Sequence, residues 1–256
     1  MKALLAFIKK EWMDLIRSGR LVILITIFLL LGIMNPAMAK LTPWMMEMMS
    51  ESMEQSGLVV TEVTIDAMTS WTQFFKNVPL GLIAFVLISG NLFTKEYSDG
   101  TLILVLTKGL NRYKVIVAKT VMLLLTWSVS YWMCFGITYG YNEYFWDNSV
   151  AYNLIETVTL LWVLGIFAVA LIVLFSTLSQ NGTGVLLGTG GVFVVSYLIG
   201  QVPKATEYTP TLLMSTAGLL SGVEEVADYT NALIVTLVII VLAIVFSVPI
   251  MNKKKL

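Results

Sequence analysis

The sequence predicts an all-α integral membrane protein with six transmembrane helices, and three observations carry that expectation. Apolar residues make up 57% of the 256-residue chain and charged residues only 12%, about half the charged share of a soluble domain. Six apolar runs approach or exceed the roughly 20 residues that a hydrocarbon core about 30 Å thick demands. The charges lie between those runs and are sorted by sign along the chain.

Residues 1–20 come first, as an element of their own. Leu4, Leu5, Ile8, Trp12, Leu15 and Ile16 fall within about a third of a helical wheel, with Lys9, Lys10, Asp14 and Arg17 around the rest. That is the pattern of a helix lying in the headgroup region. A basic start, an apolar run and Ala37-Met38-Ala39 also imitate a cleaved secretory signal, but the ordered pattern of the first twenty residues favours retention. The six spans follow as Leu21 to Met38, Val78 to Phe93, Val115 to Tyr139, Leu154 to Leu178, Gly184 to Gly200 and Ala232 to Ile250. The second and fifth are short, which suggests local thinning of the bilayer or burial in a bundle.

Charge sets the orientation. Six spans leave four segments on one side: the N-terminus, Lys95 to Lys119, Ser179 to Thr183, and Lys253 to Lys255. They hold thirteen of the sixteen Lys and Arg but only four of the sixteen acids. The positive-inside bias therefore places both ends of the chain in the cytoplasm. Asn181-Gly182-Thr183 matches a glycosylation sequon but falls on this inner side. The expected location is a bacterial plasma membrane.

The spans lack the groups that several functions need. No span carries a central Asp, Glu, Arg or Lys, where ionisable residues are costly and usually functional. A proton- or sodium-coupled carrier and a voltage sensor are thereby disfavoured. The chain has no histidine, which removes the usual ligands of an intramembrane metalloprotease. Its one cysteine, Cys134, permits no internal disulfide. No G-x-x-x-x-G-K-[ST] phosphate loop is present, so the expectation is no enzyme activity, no cofactor bound by this chain and no nucleic-acid partner. Lys119 lies near the inner end of the third span, where it is expected to snorkel.

The stretch Phe93 to Arg112, FTKEYSDGTLILVLTKGLNR, is more than a connector. Ser98-Asp99-Gly100 offers turn chemistry and a cap, and Thr101 to Lys108 reads as a short helix ending at Gly109. Leu102, Leu106 and Leu110 recur every four residues, giving one apolar face. Such a stripe either rests on the membrane or docks in a groove of another protein. The order Glu96, Gly100-Thr101-Leu102, Leu106, Asn111-Arg112, Lys119 resembles the "E…GT…L…(P)xSR…K" signature of type-2 ATP-binding-cassette (ABC) transporter permeases, the ABC-2 family. The resemblance extends over the whole chain, through the N-terminal helix, six spans and a long outer segment. Gly109-Leu110-Asn111 departs from it, standing where the family often has a proline and a serine.

The resemblance implies one permease domain over residues 1–256, with an interfacial helix at 1–20, a cytoplasmic coupling loop at 94–114 and an outer re-entrant segment at 201–230. It implies a homodimer or heterodimer of permeases working with a separate ATP-binding subunit, which alone holds ATP and Mg. In that role Glu96, Asp99 and Arg112 supply polar contacts to the ATPase and Leu102 and Leu106 the apolar anchor, with Gly100 and Thr101 in the same coupling set. Trp12 and Arg17 brace the same subunit from the membrane plane, in contact with lipid. The expected activity is export of a hydrophobic or amphipathic substrate, a peptide or an antibiotic-like compound. A non-transporting scaffold or immunity protein, or a membrane-embedded enzyme, stays open.

Three further features carry two readings each. Gly184 and Gly188 form a small-xxx-small pair followed by Gly190 and Gly191, which suits close helix packing or a dimer seam along the pathway. In PWMMEMMSESMEQ, Pro43 to Gln55, Met45, Met48, Met49 and Met53 can share a face with Glu47, Glu51 and Glu54 on another. Thioethers suit Cu(I), but an interfacial helix with flexible methionine packing is the expectation. Thr211 to Val223 has too few residues to cross a bilayer and reads as part of a re-entrant or surface-lying helical hairpin.

Overall fold

The computed structural model describes residues 2–54, 65–107 and 109–254. Ten α-helices run through them: α1 (Lys2–Arg17), α2 (Arg20–Glu54), α3 (Ala67–Ser89), α4 (Thr94–Ser98), α5 (Thr101–Thr107), α6 (Arg112–Phe145), α7 (Leu154–Leu178), α8 (Gly182–Gly200), α9 (Ala217–Ser221) and α10 (Thr230–Lys253). Among the described residues there is no strand. Six helical stretches are long and apolar enough to cross a membrane, and they contain α2, α3, α6, α7, α8 and α10.

The helix α7 forms the centre of the bundle. It is apolar on every side, as a helix enclosed by others must be, and Val158, Leu164, Phe167, Ala168, Val169, Ile172 and Val173 are all fully buried. The helices α10, α8 and α6 pack around it. At Gly165 there is no room for a side chain, because an added Cβ would lie inside the indole of Trp127. A second packing unit joins α2, α3 and α6 around Phe28, Trp71, Phe74, Phe85, Trp127 and Tyr131. The polar tips of these aromatics find partners: Trp127 Nε1 donates to the Trp162 carbonyl at 3.1 Å, Tyr131 to the Val158 carbonyl at 2.6 Å, and Trp71 Nε1 to Asn148 Oδ1 at 3.0 Å. Buried aromatic donors left unpaired would be costly.

The second span is longer than its hydropathy suggests. The helix α3 begins at Ala67, capped by Asp66, whose side chain accepts from the Thr69 amide. Its polar first half keeps Ala67, Ser70, Trp71, Phe74 and Val78 on one buried face, so the apolar count missed a helix that needs no thinning of the bilayer. The fifth span, α8, stays short at 19 residues, about 28 Å at 1.5 Å per residue.

The helix α2 runs unbroken for 35 residues through Pro36 and Pro43. It thus absorbs the start of the methionine-rich stretch as a continuation of the first span, where a separate interfacial helix was expected. The side chains of Glu47, Met49, Glu51, Met53 and Glu54 fall outside the described residues. A proline inside a helix removes one amide and frees the carbonyl four residues earlier; for Pro36 that carbonyl belongs to Gly32. Thr138 of α6 donates its hydroxyl to the Gly32 carbonyl at 3.0 Å. Asn35 Nδ2 reaches Thr138 Oγ1 at 3.4 Å, and Asn77 Nδ2 donates to Asn35 Oδ1 at 2.9 Å. One polar chain therefore ties the first three spans where α2 is weakest. Thr138→Val is expected to cost about 1–2 kcal/mol, the scale of interhelical hydrogen bonds in membranes, with Thr138→Ser near neutral; thermal unfolding in nanodiscs checks both.

The segment 201–230 does not form the expected hairpin. Three 3₁₀ turns (Thr206–Tyr208, Pro210–Met214 and Val226–Tyr229) and the five-residue α9 follow one another. They pack on α7, α8 and α10, with Leu213, Leu219, Leu220 and Tyr229 buried. Pro210 starts one turn, and the apolar piece divides at Ser215-Thr216, so neither half is long enough to make an arm.

Candidate functional site

The three segments rich in Lys and Arg converge on one end of the bundle, together with the start of Ser179 to Thr183. Lys10 of α1 pairs with Glu96 of α4, Arg112 of α6 meets the end of α10, and Lys254 meets the end of α7.

At this end a short helix stands out, held between two glycines. Gly100, at φ +65°, separates α4 from α5, and Gly109, at φ +90°, closes α5; this left-handed region is open to glycine at little cost. The Gly109 amide donates to the Leu106 carbonyl at 3.0 Å and the Leu110 amide to the Val105 carbonyl at 3.4 Å. That crossed pair is the Schellman stop. The helix expected from Thr101 onward is therefore present, and its end is set by Gly109 without the family's proline.

The structure turns the predicted stripe inward. Leu102 is 1% exposed and Leu110 is buried, with Leu106 partly covered. The side that faces out carries Thr101, Ile103 (44% exposed), Leu104 (63%) and Thr107, next to exposed Asp99. The period of four identified a helix with a packing face, but the apolar pair on the opposite flank gave no periodic signal. Leu102 is thus a core residue of this chain, and the apolar surface offered outward is Ile103 and Leu104.

Glu96 and Lys119 also take roles other than those expected. Lys119 does not snorkel; its side chain is 1% exposed and its ammonium lies 2.8 Å from Glu11 and 3.1 Å from Glu96. It donates as well to the Leu92 carbonyl at 3.2 Å and stands over the Phe93 ring. Lys10 bridges Glu96, Glu11 at 3.0 Å and Asp14 at 2.9 Å. Burial opposes the charge on Lys10, but the bonds to Glu96 and Asp14 and the field of Glu11 outweigh it and hold the ammonium above the ordinary lysine range. Its stabilising share is therefore present below pH 10.5 and lost only as pH climbs through the raised folded value. The carboxylates of Glu11, Asp14 and Glu96 lie close enough for a cation; Lys10 and Lys119 fill that place. Glu96 thus ties α4 to α1 and α6 and is not presented outward. Glu11 escaped the sequence reading because an acid among lysines on an amphipathic helix looks like a solvated charge.

Arg112 likewise faces its own chain, where it donates to carbonyls at the end of α10. Trp12 and Arg17 are exposed on α1. Leu5 and Ile16 share the exposed side of that helix, while Phe7, Glu11 and Leu15 turn inward. The single apolar face expected of α1 is thus divided between the bundle and the outside.

Along α8 the glycines divide too. An added Cβ at Gly188 would lie 2.3 Å from the Phe175 ring, so this glycine serves packing within the chain, and Gly184 donates its amide to the capping Asn181 side chain at 2.8 Å. Gly190 and Gly191 face outward with nothing within 4 Å of such a Cβ. Beside them, between α3 and α8, lies a cavity of about 400 Å³ bordered by Pro79, Val86, Thr189, Phe193, Tyr197 and Thr211, with no charged residue in its wall among the described residues.

A family profile described as "ABC-2 family transporter protein" matches residues 5–246, from α1 through the first five spans into α10. The chain belongs to the ABC-2 transporter family. No curated protein matches the sequence. As a membrane protein of this family, the permease is the transport subunit of an ABC system that includes an ATP-binding partner. The basic end, with α5 in its middle, and the uncharged cavity beside α8 are its two candidate working surfaces.

Proposed function

We propose that this permease is the membrane half of an ATP-driven exporter, and that α5 docks in a groove of a separate ATP-binding subunit, which holds the ATP and Mg. The observation that carries the reading is the outward placement of Ile103 and Leu104 on a helix fixed at both ends. An exposed apolar pair on a basic, water-facing end has the character of a partner site. Asp99 and Thr101 add polar contacts at its rim, and Trp12 and Arg17 extend the footprint along the membrane plane.

The exposed face of α8, with Gly190 and Gly191, supplies the seam for a second permease, identical or homologous. The cavity between α3 and α8 supplies the route. Its apolar wall with three hydroxyls, from Thr189, Tyr197 and Thr211, suits a hydrophobic or amphipathic substrate and repels an ionic one. The basic end lies in the cytoplasm of a bacterial plasma membrane by the positive-inside bias.

Co-expression with an ATP-binding-cassette subunit tests the reading. The two are expected to co-purify, and inside-out vesicles containing both are expected to accumulate an amphipathic dye only with ATP. Failure of the pair to associate in detergent and in nanodiscs overturns it.

A further inference from the structure

Arg112 and Lys254 cap two helices in a reciprocal way. The Arg112 Nη1 donates to the carbonyls of Met251 at 2.6 Å, Asn252 at 3.2 Å and Lys254 at 2.7 Å, the last turn of α10. Lys254 in turn donates Nζ to the carbonyls of Ser176, at 3.2 Å, and Ser179, the last turn of α7. Its ammonium also stands 4.0 Å above the ring of Tyr97. The Tyr97 hydroxyl donates to the same Ser176 carbonyl at 3.2 Å and reaches Met251 Sδ at 3.4 Å. Burial pulls Lys254 down to about 8, so it is still mostly charged at neutral pH.

Cations at helix C-termini are ordinarily local caps worth about 0.3–1 kcal/mol each. What a local cap does not require is the set of elements joined here. Tyr97 lies just before α5 and Arg112 just after it, and both reach residues 251–254, which in turn grip the end of α7. The ion cluster around Lys119 leads instead from α4 to α1 and α6. The two sets of contacts leave the α5 segment in different directions and share no hydrogen-bonding group.

We infer that residues 251–254 form a strap that passes displacement of α5 to the inner ends of α7 and α10, with Arg112 and Lys254 as its positioning residues. The inference rests on the docking of α5 proposed above. Its physical basis is stiffness. Charge-assisted bonds to carbonyls of two different helices hold fixed distances, so a shift of the Tyr97–Arg112 segment carries the helix ends with it. The helix α7 packs directly on α6 and α10, and the strap adds a connection at the inner ends of α7 and α10.

Hydrogen exchange on the co-purified permease and ATP-binding subunit in nanodiscs, with and without ATP and vanadate, tests the strap. In the parent, nucleotide is expected to change exchange both at residues 101–107 and at 176–182. In Lys254→Met the change at 101–107 is expected to persist, while that at 176–182 falls about fivefold or more, the low end of site-to-site couplings. Lys254→Arg, which still reaches carbonyls and stacks on Tyr97, is expected to restore it, and Arg112→Gln to repeat the loss. A parental response at 176–182 in Lys254→Met overturns the strap alone, as does joint loss at both segments in an assembled complex. Silence at 101–107 in the parent removes the docking of α5, and the strap with it.

Discussion

A Lys119→Met variant is expected to unfold more easily than the parent by about 3–5 kcal/mol, the cost of removing one partner from a buried ion pair. Methionine keeps most of the lysine stem, so little packing is lost. What changes is that Glu11, 2% exposed, loses its buried ammonium and keeps only the partly exposed one of Lys10 at 3.0 Å. Glu96 is less affected, because it is the more exposed of the two carboxylates and Lys10 still reaches it. Removing the second charge should therefore recover most of the loss, and Glu11→Gln/Lys119→Met is expected to lie within about 2 kcal/mol of the parent. Thermal unfolding of single and double variants in nanodiscs reads the difference. A single variant as stable as the parent would mean that water reaches this cluster.

Leu104→Asp is expected to leave folding intact and abolish association with the ATP-binding subunit. Leu104 is 63% exposed and touches little of its own chain, and exposed substitutions rarely shift stability beyond about 0.5 kcal/mol. Placing a carboxylate in an apolar contact costs far more at an interface, about 2 kcal/mol or more at a hot spot, or roughly thirtyfold in affinity. Ile103→Asp is expected to behave alike. Leu102→Asp is the informative contrast: at 1% exposure it buries a charge inside this chain and is expected to lower stability before any partner is added. Thermal unfolding and co-purification of the three variants separate the outward from the inward face of α5. Equal binding by Leu104→Asp and the parent would remove α5 from the interface.

The spans, the short helix ending at Gly109 and the gathering of basic segments were all legible in the sequence, because each rests on a local signal. Hydrophobic run length, a glycine needed at positive φ and the sign of flanking charge require no knowledge of neighbours. The facing of side chains did not follow. Leu102 and Leu104 are chemically alike and two residues apart, and only packing decides which becomes core. Glu96, Lys119 and Arg112 were visible as a pattern, but their partners lie 86, 108 and 139 positions away along the chain; contacts at such separation leave no periodic trace. The start of α3 was missed for a related reason, since Trp71 and Phe74 sit among polar residues that face the other way.

The pairing of Glu11 with Lys119 has a consequence for biosynthesis. Glu11 is translated long before Lys119, so the compensating carboxylate is already present when the third span is inserted. Insertion in chain order therefore never exposes that lysine to lipid without a counter-ion within reach. Removing residues 1–39 by a peptidase would take Glu11 away and leave Lys119 with Glu96 as its remaining carboxylate among the described residues.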